Sequence, residues 1–348
     1  MAESVLVALS GGIDSAMTAK MLLEMNYKVI GVHFHFFDAP SSNVREITDV
    51  LGIRLIEYDA RALFHKEVIG YFADFYLQGK TPSPCVYCNP NIKWKLLLKL
   101  ANDENISRIA TGHYINIKRE KELFRIYKGV DDTKDQSYYL YGLSQEILSR
   151  ALTPMGQFTK ATLKQQLEDT GLSNLIHKKE STGLCFSRGR SCSEILRDYI
   201  PGLDKRIGPG VVINRKGEPI GHHEGYVYYT VGQKQGLQLN TNEKLCVTGI
   251  NPDNNLLKVD TWESLYMNEF SVIDFYFADI SELNSYENIQ VKVRGFGLNP
   301  EGYCRVKIEN NYSLKINLDN PVWAPTPGQP AVFYSDDKLL GGGIISSS

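Results

Sequence analysis

The chain has 348 residues, a formal net charge of -2, 22% charged and 43% hydrophobic residues. That length suits two or three domains with full cores, and the near-neutral balance excludes a molecule that attracts polyanions by its global field, so any such partner must meet a local patch. The opening "MAESVLVALS" has no basic lead and its apolar run is far too short to cross a bilayer, while six cysteines without a secretory signal point to reduced thiols; a cytoplasmic protein is expected.

In chain order, the apolar runs SVLVAL, YKVIGVHF, IRLIEYD and ISRIATG alternate with helical periodicity. This predicts an α/β domain over residues 1–145 with a doubly wound parallel sheet. Residues 146–207 read as a small, mostly helical central domain; the stretch 177–216 holds nine Lys or Arg against four acids, the local patch that a polyanion would need. From 208 to 348, runs such as GVVINRKGEPIGHH, EKLCVTGINPDNNLLKVD and GYCRVKIENNYSLKINL read as antiparallel strands ending in a β-barrel. Residues 251–348 carry seven bases and thirteen acids, so the halves differ in sign.

Five stretches carry chemistry. ALSGGIDS, residues 8–15, joins a strand to a helix through two glycines. Such a turn leaves backbone N–H groups unpaired at the helix N-terminus and lets an anion approach closely. It lacks the lysine of a kinase-type phosphate loop, which disfavours γ-phosphoryl transfer, and Asp14 reads as a magnesium ligand or an orienter of a nucleotide. In TPSPCVYCNPNIKW, residues 81–94, Cys85 and Cys88 precede a helix expected from Asn89 or Pro90, whose dipole would lower a thiol pKa. ATGHY, residues 110–114, closes a predicted strand, where ligands of open α/β sheets bind. DDTKDQSYYLYGL, residues 131–143, clusters Lys134, Asp135 and Gln136 ahead of an aromatic stripe. ESTGLCFSRGR, residues 180–190, sets Cys185 among Lys178, Lys179, Arg188 and Arg190, which would favour thiolate, whereas Cys192, Cys246 and Cys304 read as core.

SGGIDS resembles the PP-loop of the ATP pyrophosphatases, and the seven motifs SGGIDS, C-N-x-x-I-K-W, ATGHY, KDQSYYLYGL, STGLCF, GHHEGYVYYTVGQKQGL and APTPGQPAVFY follow the order seen in tRNA-specific 2-thiouridylases over nearly the whole chain. The resemblance implies ATP binding by Ala8, Leu9, Ser10, Gly11, Gly12, Ile13, Asp14 and Ser15, with Phe34 and Gly112 beside them, and magnesium with the nucleotide. It implies Cys88 as nucleophile, Cys185 as carrier of a persulfide, and Ser83, Pro84 and Cys85 facing the target base. His113, Lys134, Asp135, Gln136, Arg294, Gly295 and Gln329 match tRNA-binding positions. The implied partners are tRNA, at its anticodon stem-loop and wobble uridine, and a sulfur-donor protein such as a cysteine desulfurase or a sulfur-relay protein.

Three departures stand out. The family's T-P-N-P-D run is TPSPC here, so a carboxylate is lost at Cys85 and a C-x-x-C pair gained; Cys85, Cys88 and Cys185 could then hold an iron–sulfur cluster with one open iron. Lys234 replaces the usual arginine of a G-Q-R segment, and HFHFFDAPSSN is shorter and more aromatic than its counterpart, with His33 and His35 as packing residues. Two other classes are compatible with a PP-loop: an amidating synthetase, which would not need Cys185, and a catalytically silent tRNA-binding protein, which would release no pyrophosphate.

Overall fold

A computed structural model describes residues 2–38, 42–167, 171–177 and 183–346. The four apolar runs of the first region form the strands β1 (Ser4–Ala8), β2 (Lys28–His35), β3 (Arg54–Asp59) and β4 (Arg108–Ala110). With two intervening strands, β5 (Ile115–Glu120) and β6 (Leu123–Lys128), assigned elsewhere, the next member of this sheet is β7 (Ala151–Leu152). The parallel sheet has the order β3-β2-β1-β4-β7. Successive strands are therefore added on one side of β1 up to β3 and on its other side from β4 on, and the crevice outside the carboxyl ends of β1 and β4, at this switch point, is where such a sheet binds ligands. Val5, Leu6 and Val7 of β1 are fully buried, as a strand covered on both faces must be.

The hairpin β5–β6 went unread in the sequence, because its alternation is carried by charged residues. It leaves the parallel sheet and joins the C-terminal barrel, where Tyr127 pairs with Lys338. The β-rich half forms two sheets. One contains β8 (Gly210–Ile213), β9 (Pro219–His223), β10 (Gln238–Leu239), β11 (Cys246–Asn251) and β12 (Leu256–Asp260) in the order β10-β9-β8-β12-β11. The other contains β13 (Tyr266–Phe277), β14 (Gln290–Lys292), β15 (Cys304–Asn310), β16 (Ser313–Trp323), β17 (Pro330–Ser335) and β18 (Lys338–Ile345). Its order is β14-β17-β18-β13-β16-β15, with β6 added on β18. One continuous apolar core runs from Leu6 and Val32 through Trp94 and Tyr138 to Val332 and Tyr334, so the barrel packs directly on the nucleotide-type domain. Among the described residues no helix is long and apolar enough to cross a membrane.

Candidate active site

The turn after β1 leads into α1 (Ile13–Glu24), which Gly12 caps without a side-chain hydrogen bond, so the first-turn N–H groups face the turn. Gly11 holds φ +80, a conformation that favours glycine. Ser15 Oγ accepts from the Ser10 N–H at 3.1 Å and donates to the Gly12 carbonyl at 3.0 Å, which closes the loop on itself. Leu9 donates its N–H to the Val32 carbonyl at 2.8 Å and joins the loop to β2. Across the crevice, a Cβ on Gly112 would lie 2.9 Å from the Asp14 carbonyl carbon and 3.0 Å from the Ser15 nitrogen. Only glycine lets the ATGHY turn touch the first turn of α1. The ring of Phe34 is buried against Phe36 and Tyr58, at centroid distances of 5.8 and 6.1 Å.

Asp14 is already engaged. Tyr114 donates its hydroxyl to Asp14 Oδ1 at 2.8 Å, and the Lys160 ammonium, only 6% exposed, pairs with the same oxygen. In this arrangement Asp14 Oδ1 is shared between a lysine and a tyrosine hydroxyl.

The thiols lie at the other end of the crevice, where the sequence expectation needs two corrections. The helix starts at Pro84, so Cys85 and Cys88 are both on it and not before it. Proline is at home in a first helical turn, its φ being preset and its missing N–H unneeded. Pro90 cannot donate back along the helix, and the run passes through a π-helical turn, Asn89–Lys93, before continuing as Trp94–Asp103. That wide turn brings Lys93 under the thiols: its charge acts on Cys85, Cys88 and Cys185, and the thiols act on one another, Cys85 and Cys185 both on Cys88. The second correction concerns acidity. Burial pushes the Cys88 thiol up to about 11 and raises Cys85 and Cys185 as well; the Lys93 charge opposes this without overcoming it. Desolvation outweighs the helix dipole and the basic neighbours because it acts on the whole thiolate charge. Lys178 and Lys179, counted among those neighbours, lie outside the described residues.

Exposure differs in a useful way, with Cys88 buried, Cys85 half-buried and Cys185 open to solvent on one side. All six cysteines are free thiols, and Cys192, expected in the core, is exposed at the start of a capped helix. Cys246 and Cys304 are buried as expected. Among the described residues no three His, Cys, Asp or Glu side chains are grouped to hold a metal ion, so Cys85, Cys88 and Cys185 as arranged here do not fit a cluster. His113 stacks on Trp94 at 5.8 Å and its Nδ1 lies 2.7 Å from Thr111 Oγ1; burial, with the Lys93 charge, depresses its pKa to about 3, so it is neutral at pH 7.

Residues 3–189 match the model of the tRNA methyl transferase HUP domain, 194–260 that of the tRNA methyl transferase PRC-barrel domain, and 267–345 that of the aminomethyltransferase β-barrel domain. A tRNA-specific 2-thiouridylase of Phocaeicola vulgatus is 36% identical, covering 99% of this chain and 95% of its own. One from Bacteroides fragilis is 37% identical, over 99% and 98%. One from Chlorobium phaeobacteroides is 36% identical, over 99% and 97%. The chain belongs to the tRNA-specific 2-thiouridylase family.

The positions that match the family's tRNA-binding residues are less exposed than such a role suggests. Asp135 is 8% exposed; its carboxylate accepts from the Gly129 and Ser137 N–H groups at 3.3 and 3.2 Å and faces Lys292 at 3.6 Å. Gln136 accepts from the Tyr114 N–H at 3.2 Å, and Lys134 is half-buried. Arg294 donates to the Leu298 and Ala324 carbonyls at 2.9 and 2.6 Å. Gly295 sits where a Cβ would be 2.1 Å from the Tyr139 hydroxyl. Gln329 donates to the Thr81 and Pro82 carbonyls at 3.0 and 2.9 Å, and so ties the run that leads to Ser83, Pro84 and Cys85 onto the barrel. Lys93, Tyr114, Tyr139 and Lys160 were missed as site residues. Lys93, Tyr114 and Tyr139 stand inside quoted motifs, but nothing short of the fold marks Lys160.

Proposed function

We propose that this protein is an ATP-dependent tRNA-uridine 2-sulfurtransferase acting on the wobble uridine. The observation that carries the reading is the convergence of Cys185 with Cys88 and Lys93, which lie more than 90 positions earlier in the sequence, on the crevice of a PP-loop sheet. The Ala8–Ser15 turn would take the triphosphate on its backbone donors, with magnesium arriving on the phosphates. The uridine C2 oxygen attacks the α-phosphorus and pyrophosphate leaves, which turns a poor leaving group into AMP. The terminal sulfur of a Cys185 persulfide then attacks C2, expelling AMP. Cys88 attacks the Cys185 sulfur, leaving the sulfur on the base and forming a Cys88–Cys185 disulfide that a thiol reductant must reopen.

The exposures suit these roles: Cys185 is accessible to a sulfur-donor protein, while Cys88 is sheltered until the base is in place. The uridine must leave its stack to reach them, at a cost of a few kcal/mol. Family positions among Lys134–Gln136, Arg294 and Gly295 would hold the anticodon arm by shape as well as charge, since Asp135 and Arg294 are bonded within the protein.

The test is to incubate the protein with unmodified tRNA, ATP, magnesium and a persulfide donor, then to analyse the nucleosides by mass spectrometry. 2-Thiouridine that requires ATP, with one pyrophosphate per sulfur inserted, is expected. Pyrophosphate release without thiouridine, or normal thiolation by Cys185→Ser, would overturn the reading.

A further inference from the structure

Thiolation at C2 does not by itself tell uridine from cytidine, because both bases carry the same C2 carbonyl. They differ at N3, the ring atom bonded to C2: uridine presents an N–H there and cytidine a lone pair. A group that reads N3 must therefore stand beside the sulfur atoms, and it must accept a hydrogen bond without being able to donate one. We propose that Asn89 is that group, its side-chain oxygen accepting the N3–H of the extruded uridine and turning cytidine away. This rests on the wobble-uridine reading above.

Four observations support it. Asn89 follows Cys88 directly and opens the π-helical turn Asn89–Lys93, so it belongs to the wall of the thiol end. Its Nδ2 donates to the Tyr139 carbonyl at 3.3 Å, which fixes the amide, since the opposite orientation would set two carbonyl oxygens against each other. The other arm of the amide, Oδ1, is buried and meets no donor. Among the described residues it is the one buried side-chain acceptor left without a partner, the other three such atoms being the N–H donors of Trp94, Arg125 and Trp323. Finally, Asn89 is 4% exposed and Cys88 8%, so the two are sheltered alike and a base that comes within reach of one comes within reach of the other. A dry, unpaired acceptor destabilises the interior that holds it, and a ligand bringing an N–H relieves that.

The run leading to Cys88 offers no side chain that could draw the same distinction. Thr81–Cys88 holds neither carboxylate nor amide. The Thr81 and Tyr87 hydroxyls are engaged by Thr230 and Glu67, and the Ser83 hydroxyl, which can donate as well as accept, would bond uridine and cytidine alike. Asn89 Oδ1 can only accept, so cytidine would bring its N3 lone pair against a second acceptor and leave the amide unpaired. No covalent step is added: the hydrogen bond orients the base and leaves the C2 oxygen free for the α-phosphorus.

The test gives the full chain ATP, magnesium and a persulfide donor with tRNAs carrying uridine, cytidine or 3-methyluridine at the wobble position, and follows single-turnover thiolation. Wild type should thiolate uridine about a hundredfold faster than 3-methyluridine, which lacks the N–H, and should reject cytidine at least as strongly. In Asn89→Ala the uridine rate should fall about tenfold. 3-Methyluridine, whose methyl fits the space vacated by the amide, should come within about fivefold of uridine, with ATP affinity and persulfide loading of Cys185 as in wild type. A structural role alone would slow every substrate by one factor and leave the hundredfold preference in place, and that result would overturn the proposal. Equal wild-type rates on uridine and 3-methyluridine would overturn it and leave the wobble-uridine reading intact, whereas a wild type that thiolates none of the three would overturn both. Should Asn89→Ala fail to fold, wild type decides alone. With tRNA carrying nitrogen-15 at N3 of the wobble uridine, the imino proton should be protected from solvent exchange in the complex, and an unprotected proton would overturn the proposal.

Discussion

The two ends of the crevice are built on opposite plans. At the nucleotide end the chemistry belongs to the backbone: a glycine turn, a bare helix N-terminus and a second glycine that touches it. At the thiol end it belongs to side chains, three thiols and one lysine gathered around a π-helical turn. The first plan is rigid and intolerant of any added atom. The second depends on a balance between burial and one positive charge, and can be tuned by single substitutions. On this comparison the two halves of the proposed reaction should fail separately.

The largest effect follows from breaking the thiol end alone. Cys185→Ser should abolish thiouridine formation and still release pyrophosphate in the presence of tRNA, because Cys185 belongs to the group around Lys93 and Cys85 at the thiol end. Cys88→Ser should also block turnover but leave sulfur trapped on the Cys185 side, visible by mass spectrometry of the denatured protein as tRNA attached through a reducible bond. Loss of pyrophosphate release in either variant would show that the two ends are not separable. At the nucleotide end, Gly112→Ala puts a methyl 2.9 Å from the Asp14 carbonyl carbon and 3.0 Å from the Ser15 nitrogen. Overpacking of this kind costs about 1–3 kcal/mol, so ATP affinity should fall by roughly ten- to a hundredfold if the strain is taken up in the first turn of α1. Persulfide loading of Cys185, measured by alkylation, should be untouched.

The same contrast explains what could be read in advance. The backbone end was legible because it is local: SVLVAL, two glycines and a helix follow one another within 24 residues, and their spacing fixes the geometry. The thiols were legible as candidates, since C-x-x-C and STGLCF are local too. Their acidity was not, because burial is set by packing between Cys88, Ile92, Trp94 and Phe186, which no short stretch contains. Lys160 was illegible for the same reason, lying 146 positions from the aspartate that holds it. Nor does sequence show that Asp135 turns inward, since that depends on Ser137 and on Lys292 of the barrel.

The balance at the thiol end predicts a pH profile. Cys88 sits near 11, so little thiolate exists at neutral pH, and a step that needs it should quicken about tenfold per pH unit between pH 7 and 9. Lys93→Met removes the charge that opposes burial, raises the thiols further and should slow single-turnover thiolation several-fold at pH 8, with Lys93→Arg recovering the rate. A flat profile in the wild type would mean that Cys88 acts as a thiol or not at all. Stability carries the opposite sign. Folding raises this pKa from about 9 to about 11, so the unfolded chain gives up the proton first; the contribution is complete below pH 9 and is lost as pH climbs through 11. Thermal melts should therefore fall more steeply above pH 9 in the wild type than in Cys88→Ala.

The smallest effect tests how the two ends are held in register. Thr81 donates its N–H to the Pro327 carbonyl at 2.9 Å, and Gln329 returns two hydrogen bonds to the Thr81 and Pro82 carbonyls. Gly328 sits beneath them, with room for no Cβ, since one would be 2.7 Å from the Thr81 oxygen. Through these contacts the barrel sets the start of the helix that carries both Cys85 and Cys88, while the PP-loop is set by the parallel sheet. Gln329→Ala removes two bonds worth about 1 kcal/mol each at most sites and leaves two half-buried carbonyls to water. Thiolation should slow by about two- to fivefold, with ATP affinity unchanged, because a displacement of the thiols relative to the nucleotide is paid in the sulfur-transfer step alone. If Gln329→Ala instead weakened tRNA binding tenfold with the transfer rate intact, Gln329 would contact tRNA directly, and the barrel would serve to hold tRNA and not to position the thiols.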